Sequence, residues 1–246
     1  MGSVKDLEVI RKPSQGELGV GRFVFSDRYS VFDWGEMPDH IPHKGEAIAL
    51  LSAHFFEELH KKNISTHYIG LVEDGEVKHL PDIEKPVNAM EIKLLRVIKP
   101  KEDYSSYLKE RRGALIPLEV IYRNSLPQGS SVFKRLRKGE LKLEDIGLGE
   151  FPALGQTLDP PILDFSTKLE ITDRYLDEDE VRQIAGLSEE ELTKIREITM
   201  DVNSLITEEL SKVGLANEDG KLEFGLDANS RLILVDVVGT LDECRF

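Results

Sequence analysis

Lys221-Leu222-Glu223-Phe224-Gly225-Leu226, then Asp227-Ala228-Asn229-Ser230, then Arg231-Leu232-Ile233-Leu234-Val235-Asp236-Val237-Val238 is the stretch that decides the fold. Two runs of β-type residues flank four residues that favour a turn, which predicts an antiparallel hairpin over 221–238. Side chains alternate across a strand, so Leu222, Phe224 and Leu226 make an apolar face directed at a core. If Leu226 pairs with Arg231, Lys221 stands opposite Asp236 and Glu223 opposite Leu234. Lys221, Glu223 and Asp236 then share the other face.

That polar face has two readings. Two carboxylates on adjacent strands can hold Mg²⁺, which bridges ATP phosphates and neutralises charge during phosphoryl transfer. A solvated acidic edge with a Lys–Asp cross-strand pair reads equally well from the same residues.

Upstream of the hairpin, Ser188 followed by Glu191 has the spacing of a capping box. Leu192, Ile195, Ile198, Val202, Leu205, Ile206 and Leu210 recur at three- and four-residue steps, and Gly214 stands where a left-handed cap is expected. A helix over 188–213 follows. Ala47, Leu50, Leu51, His54, Phe55 and Leu59 give a second amphipathic helix over 45–62. Strands are expected at 22–25, 68–72, 90–97 and 115–122, with a tight turn at 73–76. Residues 99–113 are charged and read as a surface insertion with a short helix. Residues 125–165 are rich in Gly, Pro and charge and show little regular structure, apart from an extended Asp159-Pro160-Pro161.

The 246 residues suffice for one large domain or two packed lobes, and 40% hydrophobic with 32% charged residues suits a folded, soluble chain. A net charge of −14 disfavours nucleic acid and anionic membranes. No apolar run approaches a bilayer span, and Met1 to Lys12 lacks the pattern of a signal peptide. The single cysteine, Cys244, excludes an intrachain disulfide and fits a reducing cytoplasm. Anionic substrates would need cations gathered against the global charge; Arg123, Lys168, Lys221 and Arg245 are the candidates.

Other motifs carry less. Gly16-Glu17-Leu18-Gly19-Val20-Gly21 could bring backbone amides to a triphosphate or simply turn a hairpin. The six histidines all lie between residues 40 and 79, match no common zinc spacing, and read as surface or helix-face residues. Lys134, Arg135, Arg137 and Lys138 read as a solvated loop or a lid over an anion rather than a nucleic-acid patch. Cys244 has no basic partner nearby in sequence to activate it.

Several patterns then fall into one order. Ser26-Asp27-Arg28-Tyr29-Ser30-Val31-Phe32-Asp33 and Lys44-Gly45 come first. Ile116-Pro117-Leu118-Glu119-Val120-Ile121-Tyr122-Arg123-Asn124 and Gly129-Ser130 follow. Pro161-Ile162, Ser166-Thr167-Lys168-Leu169-Glu170 and Asp173 come next, and Gly214 to Phe246, with Asp242-Glu243-Cys244-Arg245-Phe246, closes the series. Together they resemble the phosphoribosylaminoimidazole-succinocarboxamide synthase (SAICAR synthetase) family from about residue 22 onward.

The resemblance implies an α+β fold of two lobes with antiparallel sheets and an ATP cleft between them. Residues 1–97 would form the N-terminal lobe with part of the ATP site. Residues 98–246 would form the C-terminal lobe with the substrate loop, the long helix and the hairpin. It implies a cytoplasmic ligase of purine biosynthesis that joins L-aspartate to carboxyaminoimidazole ribonucleotide (CAIR) through an acyl phosphate, with ATP and Mg²⁺. A homodimer would suit such an enzyme. Glu223 and Asp236 would hold Mg²⁺, and Lys221 would steady phosphate charge. Lys221, Lys168 and Asp173 would form the catalytic set, Asp173 facing the incoming ammonium. Arg123, Ser130, Arg245 and Asp242 would bind the ribonucleotide. Gly19, Gly21 and Lys12 would lie nearest the nucleotide phosphates.

The chain departs from the pattern at several points. The Glu-Gly-Lys-Ala-Lys type turn is not recognisable, Gly16 to Gly21 lacking its lysines. Val237 follows Asp236 where an acid is usual. Thr172 replaces a histidine, Ala216-Asn217-Glu218-Asp219 replaces an apolar strand, and the relatives' C-terminal helix has no counterpart after Phe246. A divergent nucleotide-binding paralogue that does not ligate, or a ligase for another carboxylate, is the alternative.

Overall fold

The computed structural model describes residues 4–31 and 35–246. Phe32 and Asp33 of the N-terminal motif lie outside the described residues, as do Met1 to Ser3.

The first antiparallel sheet contains β1 (Lys5–Arg11), β2 (Gly19–Phe25), β3 (Tyr68–Glu73), β4 (Glu76–Lys78) and β5 (Ala89–Leu94), in the order β1-β2-β5-β3-β4. Helix α1 (Lys44–Lys61) covers one face and buries Ile48, Ala49, Ala53, Phe55, Phe56 and Leu59. Its start is fixed by Asp27, whose carboxylate accepts the backbone N–H groups of His43 and Gly45. Such a contact satisfies donors that a helix N-terminus leaves without partners.

The second antiparallel sheet runs β10 (Leu232–Val235), β9 (Asp219–Leu226), β6 (Leu115–Ser125), β7 (Thr157–Thr167), β8 (Tyr175–Leu176), and β11 (Cys244–Arg245) also pairs with β9. Helix α2 (Ser105–Glu110) lies in the charged insertion, and α4 (Glu178–Ala185) precedes α5 (Glu189–Ser211). Ser188 caps α5 with the reciprocal Glu191 contact that the sequence predicts.

Three expectations need correction. Within 125–165 the chain forms α3 (Ser131–Lys138) and most of the eleven-residue strand β7. Pro160 and Pro161 fit at the start of β7, where its only partner is β6 and the open side asks for no donor. The hairpin register is shifted by one residue: Leu226 pairs with Leu232 and Glu223 with Val235. Asp236 then lies past the end of β10, at φ 66°, so strand alternation does not govern it. His67 is a core residue, 3% exposed, rather than a surface one.

The two sheets share one core. It runs from Phe23 and Phe25 through Phe55 and Phe56 of α1 to Leu222, Phe224 and Leu226 of β9 and Val202, Leu205 and Ile206 of α5. Backbone bonds stitch the same boundary: Leu234 N–H donates to Ser65 O and His67 N–H to Leu234 O, both at 2.9 Å.

Candidate active site

Strand pairing gathers the charged side chains. Glu119 on β6 stands opposite both Glu223 on β9 and Ser166 on β7, and Lys221 is two residues from Glu223 on the same face. Two carboxylates directly opposite each other repel. Lysines reaching in from diagonal positions offset this. Lys168, just past β7, places Nζ 2.5 Å from Glu223 Oε1 and 3.1 Å from Glu119 Oε1. Lys221 Nζ lies 3.0 Å from that same Glu119 oxygen and 3.2 Å from Glu243 Oε2. The result is an alternating series of charges, Glu223, Lys168, Glu119, Lys221 and Glu243.

Asp236 joins from the side. Its backbone carbonyl accepts from His67 Nε2 at 2.8 Å, and its carboxylate pairs with Lys5 of β1. His67 stays neutral, since burial pulls its pKa down to about 4. Four carboxylates thus face three ammonium groups in a nearly dry setting. Burial, and then the charge of Asp236, push Glu223 and Glu243 each up to about 7. Burial pushes Asp236 upward too, but Lys5 outweighs it and holds that carboxyl below its usual range. Burial opposes the charge on Lys168, yet Glu223 and Glu119 keep its ammonium charged far above the usual range.

An electrostatic excess of this kind favours a cation. Glu223 Oε1 is buried and accepts no well-aligned hydrogen bond, although Lys168 is close to it. Among the described residues no three Asp, Glu, His or Cys side chains are arranged to hold a metal by themselves. Mg²⁺ commonly uses one or two carboxylates and completes its shell with water and phosphate oxygens, a pattern that Glu223 and Asp236 fit.

An arginine group adjoins the series. Arg123, 3% exposed, lies between Asp164 at 3.3 Å and Asp219 at 3.2 Å, and donates to Ser131 Oγ and Tyr175 OH. Arg135 of α3 donates to Asp164 at 2.6 Å and stacks 3.7 Å over the Tyr175 ring. Arg245 on β11 also engages Asp219, with its side chain 40% exposed. Together Arg123, Ser131, Tyr175, Lys221, Glu243 and Arg245 help line a cavity of about 360 Å³. Ser130, immediately before α3, is buried with its hydroxyl unpartnered.

The structure therefore brings Lys168, Lys221, Glu223 and Asp236 together, and groups Arg123 with Arg245 beside them. Asp242 is paired with Lys44 of α1 at 2.9 Å. Asp173 is exposed in the loop after Lys168; burial and the charge of Glu119 raise its pKa. Lys12 is exposed in the β1–β2 connection, past the end of β1 opposite to Lys5. Gly19 and Gly21 lie inside β2, where a side chain at Gly19 would meet the Arg11 carbonyl oxygen at 2.3 Å. Glu119, Glu243, Lys5 and Lys44 were not among the residues proposed from sequence. A lone acid in the apolar run Leu118-Glu119-Val120-Ile121 was the available signal for the first. A lysine opening a β-type run, Lys5-Asp6-Leu7-Glu8-Val9, was the signal for the third.

Cys244 lines the same cavity but is 6% exposed, beside Tyr122 OH at 3.5 Å. Burial pushes its thiol up to about 11, so it is not a nucleophile at neutral pH.

Comparison with known proteins shows the family to which the chain belongs. The sequence profile of the SAICAR synthetase family matches residues 14–246. An Archaeoglobus fulgidus protein, provisionally named phosphoribosylaminoimidazole-succinocarboxamide synthase, is 54% identical over 100% of this chain and 74% of its own. The phosphoribosylaminoimidazole-succinocarboxamide synthase of Thermoplasma acidophilum is 35% identical over 91% of this chain and 69% of its own. A solved SAICAR synthetase (type 2) in complex with ADP aligns with a TM-score of 0.71 at 27% identity, covering 100% of this chain and 82% of that one.

Proposed function

Because the chain belongs to the SAICAR synthetase family, ligases of purine biosynthesis, we propose that its acidic cleft joins L-aspartate to CAIR with ATP, giving SAICAR, ADP and phosphate. The observation that supports this reading best is the alternating series from Glu223 to Glu243 lying against the arginine-walled cavity. It would suit a cation-bound triphosphate beside a second anion.

In this reaction a carboxylate oxygen of CAIR attacks the γ-phosphorus and ADP departs. The free amine of aspartate then attacks the acyl carbon; the C–N bond forms, phosphate leaves, and the amine loses its surplus proton. Glu223 and Asp236 would hold Mg²⁺, which when bound neutralises triphosphate charge. Lys221 and Lys168, both on Glu119 beside Glu223, would meet the charge that gathers on the transferred phosphoryl group. Lys5, already at Asp236, is better placed for the nucleotide phosphates than Lys12, Gly19 or Gly21 on the same hairpin.

Arg245, at the cavity rim, would bind the anionic groups of CAIR, helped by the unpartnered Ser130 hydroxyl. Arg123, saturated by Asp164 and Asp219, would form the rigid floor under them. Asp242, held by Lys44, would orient the Glu243–Arg245 segment at the same wall, and Asp173 would receive the ammonium of aspartate. We place this work in the cytoplasm, with small-molecule partners and no membrane; among the described residues no helix is long and apolar enough to cross one. A homodimer would be compatible with it.

The match to named ligases over 91–100% of this chain favours this activity over a non-ligating paralogue. The test is ADP release from Mg-ATP with CAIR and L-aspartate added singly and together. Release that requires both is expected. No release from a protein that still binds ATP would sink the assignment.

A further inference from the structure

Glu119 is not among the groups assigned above to substrate or cation, yet it is the centre of the site. One oxygen, Oε1, lies within 3.1 Å of Lys168 Nζ and 3.0 Å of Lys221 Nζ, and its side chain is only 13% exposed. Lys168 has a second carboxylate as well, since its Nζ is 2.5 Å from Glu223 Oε1. Resting on the reading that Glu223 is a cation ligand, these contacts have a consequence. An ammonium and a divalent ion cannot both sit against one buried carboxylate oxygen without strong repulsion. A cation that takes Glu223 Oε1, the buried oxygen left without a hydrogen bond, must therefore move Lys168 off it.

We propose that Glu119 is a positioning residue of this site: it retains Lys168 when the cation displaces that lysine from Glu223, and so keeps Lys168 and Lys221 as neighbours on one oxygen. Glu119 can do this because β6 is the central strand between β7, which leads to Lys168, and β9, which carries Lys221 and Glu223. Before loading, Lys168 is a built-in counter-ion that keeps Glu223 from being a bare buried charge. After loading, the same lysine remains on Glu119, next to the phosphate charge that the cation brings. One side chain thus serves both states, and Glu119 decides where it goes.

Opposite effects of two substitutions on one binding constant test this. The probe is Mn²⁺ alone, without nucleotide, followed by the spectroscopic signal of the free ion, with thermal melting to confirm that each variant is folded. Lys168→Met removes the competitor from Glu223 and should tighten Mn²⁺ by about tenfold. Lys168→Gln serves as a second variant and should act in the same direction. Glu119→Gln frees Lys168 to commit to Glu223, and should weaken Mn²⁺ by a similar factor. The double variant should bind as Lys168→Met does, because Glu119 acts only through the lysine. The proposal is overturned if both lysine variants leave the affinity unchanged or weaken it. It is equally overturned if Glu119→Gln has no effect, or if the double variant stays as weak as Glu119→Gln, which would make Glu119 a direct ligand. Failure here leaves the ligase reading untouched, since ADP release by the unaltered enzyme is a separate measurement.

Discussion

Glu243 carries an acid held far from its ordinary state. Burial first, then the charge of Asp236, lift it from 4.5 to about 7, while Lys221 and Lys5 pull the other way without prevailing. Between those two values the folded chain holds a proton that the unfolded chain has lost. Stability contributed by this group is therefore fully present below about pH 4.5 and disappears as pH rises through 7. Above that, ionised Glu243 works against the fold. Glu243→Gln should raise the melting temperature at pH 8, by a stabilisation of about 1–3 kcal/mol, with the gain fading toward pH 5. An equal gain at both pH values would show that packing, not charge, is responsible. At this scale hairpin alternation singled out Lys221, Glu223 and Asp236, and the need for cations against the net charge named Lys168. The sequence hid Glu119 and Glu243, because their roles come from strand pairing and burial rather than residue type. Lys5 was hidden by distance, since its partner Asp236 is 231 residues away.

Helix α5 shows what local rules deliver. Its capping box, apolar face and length are set by neighbours within a few turns, and all were legible. Ser188→Ala should cost about 1 kcal/mol and lower the melting temperature, leaving Mn²⁺ and nucleotide affinity alone. A loss of affinity would mean that the helix start is coupled to the distant site. The hairpin shows where local rules fail. Its two strands and apolar face were readable, but the register depended on the turn, where Asp227 accepts from the Arg231 backbone N–H and keeps that residue in a five-residue loop. At φ 66° Asp236 takes a left-handed turn that Asp tolerates better than most residues. This turn, and not alternation along a strand, brings its carboxylate near Glu223. Helix α3 escaped notice because eight residues are too few for a clear period, although Gly139 at φ 71° marks its end in the ordinary way. The prolines of β7, read from sequence only as an extended segment, sit where its outer side has no partner to lose.

Across the whole molecule, the segment from Asp236 to Glu243 belongs to the second sheet by sequence and to the first by contact. Lys5 and His67 hold its beginning, Lys44 holds Asp242, and Phe55 of α1 presses on Gly239. A Cβ on Gly239 would lie 2.3 Å from the Phe55 ring, at a φ of 66° that already disfavours a side chain. Gly239→Ala should therefore lower both melting temperature and ligation by shifting Asp236 and Glu243 together. Full activity in a destabilised variant would show that the segment is not positioned by α1. The buried thiol of Cys244 follows directly after this segment, on a short strand laid against β9. Its sulfur lies under Tyr122 and holds its proton up to about 11, so an alkylating reagent meets little exposed sulfur and no reactive form while that strand stays in place. A single covalent mark per chain would then date the moment β11 lifts away, which makes this lone sulfur a built-in clock for the opening of the arginine-walled cavity.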